Sequence, residues 1–150
     1  MSRRTVVAGL VLVSFGVLAA GTVLWPSGQD IRAVQIQTWS FVAYDLLGGR
    51  LTWCTPEVWS NIVNLALCVP PTAAIVVLRR RDPWWVWFVA GTAASATVEV
   101  VQATAYAGQR MASVHDVLVN GGGALTGALI GARLRRPRRA PAPPGRPGTP

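Results

Sequence analysis

Lysine does not occur in this sequence, histidine occurs once and cysteine twice. Charged residues make up only 13% of its 150 positions, where a soluble domain of this length carries about 25%. That deficit excludes a surface wholly facing water. With His115 the only histidine, no zinc-like Cys/His spacing exists, and neither a metal nor another cofactor is indicated. Cys54 is expected in an external loop and Cys68 deep in a helix. That offset in depth argues against a disulfide, which needs Cα atoms within about 7 Å. The absence of lysine reflects base composition rather than mechanism.

What is present is apolar: 51% of the residues, with a mean hydropathy of +0.39. All fourteen basic residues are arginine, giving a net charge of +8 and a pI near 11.4. In a soluble protein such a balance would suggest nucleic acid. Here the arginines cluster as Arg3–Arg4, Arg79–Arg81 and Arg133 through Arg146, at the ends of apolar stretches. No run interleaves them with aromatics that could stack on bases. A nucleic-acid partner is therefore not expected.

The apolar stretches predict an all-α fold, a polytopic membrane helix bundle of about four transmembrane helices. The first runs over residues 5–25 without a charge, long enough to cross a hydrocarbon core of about 30 Å. Arg3 and Arg4 before it, and Ala19-Ala20-Gly21 within it, also resemble a signal peptide. The apolar part exceeds the usual h-region of about 7–15 residues, so a retained helix is favoured. The second span covers 58–78, with Pro70-Pro71 inside it and a kink expected there. The third covers 84–106 and opens on Trp84, Trp85 and Trp87, an interfacial anchor. The fourth covers 114–132, where Gly123, Gly127 and Gly131 make a small-xxx-small packing stripe.

An in–out–in–out–in path puts the three arginine clusters on one side and only Arg32, Arg50 and Arg110 on the other. The positive-inside rule then places both termini in the cytoplasm of a cell membrane. Residues 1–4 form a short cytoplasmic N-terminus, and 5–132 the membrane domain. Residues 26–57 form an external loop whose centre, Val34 to Leu47, reads as an amphipathic element on the membrane surface, helix or strand. Residues 133–150 form an Arg/Pro-rich cytoplasmic tail expected to be disordered.

Ionisable residues inside spans are informative because each costs about 2.5–3.5 kcal/mol at a helix centre. Glu99 lies in the third span, with Ser95 four residues before and Gln102 three after. Asp116 and Asn120 form an i, i+4 pair at the start of the fourth, beside His115. Asn61 and Asn64 open the second, and Arg110 lies in the connection between the third and fourth. On the expected path all of these fall in the outer half of the membrane. The candidate pocket is Asn64, Glu99, Gln102, Arg110, Asp116 and Asn120. The competing account is structural: Glu99 neutralising Arg110, and the asparagines bonding helices together.

These residues resemble the VanZ-like membrane proteins over about half the chain, from Asn61 to Gly131. The resemblance rests on Asn64 followed by Pro70, then Glu99-x-x-Gln102, then Arg110. It continues through Asp116-x-x-x-Asn120, followed by Gly123 and Gly127. The pieces are individually weak, and their order and spacing carry the match. Where such proteins commonly show a phenylalanine and a Pro-x-Gly, this sequence has Cys68 and Thr72. The resemblance implies a bacterial envelope protein of a family named for tolerance of the glycopeptide teicoplanin.

Three functions fit such a pocket. The leading one is binding of a membrane lipid or lipid-linked cell-wall precursor, or protection against a lipophilic glycopeptide. In that reading Arg110 holds an anionic head group. The second is a small proton-coupled transporter with Glu99 cycling its proton, and homo-oligomerisation is left open. The third, an enzyme acting on a lipid phosphate, ranks last because no nucleophile-and-base pair stands out unless His115 serves.

Overall fold

A Pro-Pro pair and a triple-glycine stripe would each break a helix in water, yet both lie inside continuous helices here. The computed structural model describes residues 3–24, 27–50, 53–105 and 113–135. In chain order these form α1 (Arg3–Leu24), α2 (Gly28–Ser40), a π-helical segment (Phe41–Leu46), α3 (Pro56–Leu78), α4 (Trp84–Ala105) and α5 (Val114–Arg135). No strand occurs among the described residues. The expected all-α class holds.

Three helices, α3, α4 and α5, are long and apolar enough to cross a bilayer. At 1.5 Å per residue, their 23, 22 and 22 residues span about 33–35 Å. In α1 the apolar segment Thr5–Gly21 is shorter than this standard. Leu10, Val13 and Val17 of α1 and Leu118 of α5 stay exposed. An apolar surface of this extent needs lipid rather than water against it. The protein is a membrane protein.

α3 starts where sequence chemistry says it should. Thr55 accepts the Val58 N–H at 3.3 Å, and Pro56 takes the first turn, where its missing N–H costs nothing. α3 then runs unbroken through Pro70 and Pro71. Each proline withholds an i→i−4 bond, and Thr72 adds a local one, its hydroxyl donating to the Cys68 carbonyl at 2.9 Å. α3 stops at Arg79, and the turn closes as Asp82 N–H donates to the Arg79 carbonyl at 3.1 Å.

The core lies between α3 and α5, which run parallel. A Cβ on Gly123 would overlap the Leu65 carbonyl oxygen, and one on Gly127 would overlap that of Val69. On Gly131 it would lie 2.7 Å from the Ala73 carbonyl oxygen. Both helices thus advance four residues per contact, the ridge pattern of close small-residue crossings. Thr72, Val76, Ala124 and Ala128 are buried there. α4 joins at Gly91, whose Cβ would meet Ala124 Cβ at 3.0 Å and Thr72 Oγ1 at 3.5 Å. Thr72 is therefore the point where three helices meet.

α5 continues three residues past the expected end at Ala132, through Arg135. Arg133 and Arg135 in its last turn suit the negative end of the helix dipole. Arg135 Nη1 also donates to the Asp82 carbonyl at 2.6 Å, tying this end of α5 to the α3–α4 turn. The rest of the expected tail, 136–150, lies outside the described residues. The segment Val34 to Leu47, open between helix and strand in the sequence, is helical through Leu46, in α2 and the π-helical segment. Both cysteines are free thiols.

Candidate polar site at one end of the bundle

The start of α5 is tied to α4 by a carboxylate from within an apolar helix. Glu99 Oε2 accepts the Ser113 backbone N–H at 2.9 Å. Ser113 Oγ in turn accepts the Asp116 N–H at 3.1 Å, capping α5. The first amides of a helix are otherwise unmatched, and its N-terminal dipole favours a negative charge. Glu99 therefore matches one of the backbone donors at the start of α5.

Two more bonds join the helices at this end. Asn120 Nδ2 of α5 donates to Ser95 Oγ of α4 at 2.9 Å. Asn61 Oδ1 of α3 and His115 Nε2 of α5 lie 3.2 Å apart. Asn61 is half-buried and His115 exposed. Ser95 and Glu99 are one turn apart, as are Asp116 and Asn120, so the contacts form a short ladder down the α4–α5 seam.

Of the expected pocket residues, Glu99 and Asn120 use their side chains in contacts between α4 and the start of α5, and Asp116 takes part through its backbone N–H alone. Asn64 and Gln102 are half-buried on α3 and α4 and form no side-chain hydrogen bond with another described residue. Arg110 lies outside the described residues. Ser113 was not among the expected site residues, although its Ser-x-x-Asp spacing to Asp116 is a helix-start signal readable from sequence. Nothing in the spacing of Glu99 announces that it reaches the start of the next helix.

Arg79, Arg80, Arg81, Arg133 and Arg135 occupy the other end. Arg79, Arg80 and Arg81 close α3, and Arg135 bonds beside them. A bundle with arginines at one end and carboxylates and amides at the other is chemically asymmetric along its axis.

A cavity of about 340 Å³ lies elsewhere, lined by Trp39, Ala43, Tyr44, Gly49, Cys54, Thr55 and Pro56. It sits between the π-helical segment and the start of α3. Trp39 Nε1 donates to the Cys54 carbonyl at 2.6 Å, and the Trp39 and Tyr44 rings meet edge to face with centroids 5.5 Å apart. Gly48 and Gly49 turn the chain with φ of 59° and 74°, where a side chain would be strained. α2 is pinned to α3 by Trp59 Nε1 donating to Thr38 Oγ1 at 3.2 Å. Ser60 Oγ adds a bond to Gln35 Oε1 at 3.3 Å. These contacts hold α2 and the π-helical segment beside the first turns of α3.

The VanZ/LLP1 family matches residues 7–135 of the chain. That covers most of its length, and the chain belongs to this family. No curated protein and no solved structure matches it.

Proposed function

From VanZ/LLP1 membership and the polar end of the bundle, we propose an envelope-membrane protein that binds the head group of a lipid or lipid-linked cell-wall precursor. Binding there would protect against a lipophilic glycopeptide of the teicoplanin type. In this reading α1 is a fourth span, both termini are cytoplasmic and the polar end faces outward. The arginine asymmetry supports that orientation. α2 and the π-helical segment lie along the outer membrane surface beside the site.

The observation that carries the reading is the convergence of three helices' polar side chains on one end of an apolar bundle. Asn61, Ser95, Glu99, Ser113, His115 and Asn120 contribute side chains to the contacts there, and Asp116 its backbone N–H. Membrane carboxylates and amides at one depth usually mark a binding or conduction site. Asp116, Asn64 and Gln102 supply acceptors and donors to a head group, and Arg110 supplies the charge-assisted bond to an anion.

The test uses membrane levels and teicoplanin tolerance in a susceptible host. Glu99→Gln, Arg110→Gln and Asp116→Asn should each abolish tolerance with membrane levels near normal. Glu99→Gln keeps an acceptor for the Ser113 N–H, so loss of function there points to charge rather than to folding. If Glu99 only neutralises Arg110, the paired Glu99→Gln/Arg110→Gln variant recovers what each single variant loses. Recovery would refute the pocket.

A further inference from the structure

At the basic end the chain presents a group of donors with no acceptor to match. Arg79, Arg80 and Arg81 are exposed at the α3–α4 turn, and Arg133 is exposed at the end of α5. The Arg79 guanidinium carbon lies 6.0 Å from the centroid of the Trp87 ring, within cation–π range. Trp87 Nε1 is shielded from solvent and has no hydrogen-bond partner among the described residues. An indole N–H and a guanidinium can only donate, so neither can satisfy the other. What is missing is an acceptor, and the surrounding arginines favour one with negative charge. Asp82 is the single acidic residue of this turn, and its backbone carbonyl, rather than its carboxylate, receives Arg135.

The position selects among anions. The group stands where three apolar helices end or begin, with Trp85 exposed beside it. Tryptophans at a helix end sit at head-group level, and arginine clusters there attract anionic lipids. A free phosphate would use the charge and leave the apolar rim unused. The geometry points to a binding site for the phosphodiester of an anionic glycerophospholipid, held by the exposed Arg79, whose guanidinium is seated over the Trp87 ring. Arg80, Arg81 and Arg133 add long-range charge. The lipid tails run along the exposed faces of the apolar helices.

Lipid retention by the purified full-length protein, measured by native mass spectrometry, tests this. Delipidated protein is offered phosphatidylglycerol or phosphatidylcholine with matching chains. Phosphatidylglycerol should be retained about fivefold or more over phosphatidylcholine, the factor that one arginine near a membrane surface supplies. Arg79→Gln should lower that retention by a similar factor. Arg138→Gln/Arg139→Gln, in the tail, should leave it unchanged. Equal retention of the two lipids, or full retention by Arg79→Gln, would overturn the site. Displacement of the lipid by excess inorganic phosphate would assign it to a free anion instead.

Discussion

Gly127→Ala tests the packing most directly, because it adds one carbon at a place where the structure has no room. The new Cβ would overlap the Val69 carbonyl oxygen and lie 3.0 Å from Thr72 Cβ. Backbone cannot move aside as a flexible side chain can, so α3 and α5 must separate by about 1 Å to restore ordinary contact. A gap of that size forfeits about a quarter to a half of each contact worth ~0.1–0.2 kcal/mol. Over roughly thirty atom pairs along the seam this comes to about 1–3 kcal/mol, the range found for overpacked cores. Gly122→Ala is the matched control. It lies on the same helix, but its Cβ would meet only Leu65 Cδ1, at 3.9 Å. Both substitutions share the helix-propensity gain of about 0.5–1 kcal/mol, so the difference between them isolates packing. Thermal aggregation in detergent, read by size-exclusion chromatography, should place Gly127→Ala below Gly122→Ala. The expected shift is about 2–4 °C for each kcal/mol. Equal midpoints for the two variants would refute the parallel α3–α5 contact.

Three further outcomes follow from other parts of the molecule. Trp39→Phe removes the 2.6 Å bond to the Cys54 carbonyl, and should speed maleimide labelling of Cys54, now only 2% exposed, while leaving Cys68 labelling unchanged. Asn120→Ala should lower the midpoint by the roughly 0.6 kcal/mol typical of an interhelical membrane hydrogen bond. Ser95→Ala should add little to it, because both remove one contact of 2.9 Å. For topology, cysteines introduced near Arg80 and Arg138 should react only from the cytoplasmic side, and Gly108→Cys only from outside. Cytoplasmic labelling of Gly108→Cys would remove the outward orientation and the proposed pocket with it.

Some of this architecture was readable from residue order alone. A run of about twenty apolar residues must be helical in lipid, since only a helix satisfies its own backbone there. That local rule delivered α3, α4 and α5 with ends close to those observed. Gly123, Gly127 and Gly131 announced a close-packing face for the same reason: their spacing of four puts them on one side of one helix. Asp116 and Asn120 shared a face by that spacing too. Composition likewise excluded a fully water-facing surface before any contact was known.

What residue order could not supply were the partners, because these depend on how helices far apart in sequence are set side by side. Only the assembled bundle puts the glycines of α5 against the carbonyls of α3 rather than against α4 or lipid. Glu99 was visible as an expensive carboxylate, but its bond to the Ser113 amide spans fourteen residues and depends on how α5 returns along α4. The segment Val34 to Leu47 was ambiguous because its apolar residues follow neither period cleanly. Its helical form is held by contacts with Trp59, Ser60 and Cys54, all outside the segment. Spacing along one helix is a property of covalent geometry, so sequence determines it. The choice of neighbour is a free-energy comparison over the whole bundle, and only the tertiary structure decides it.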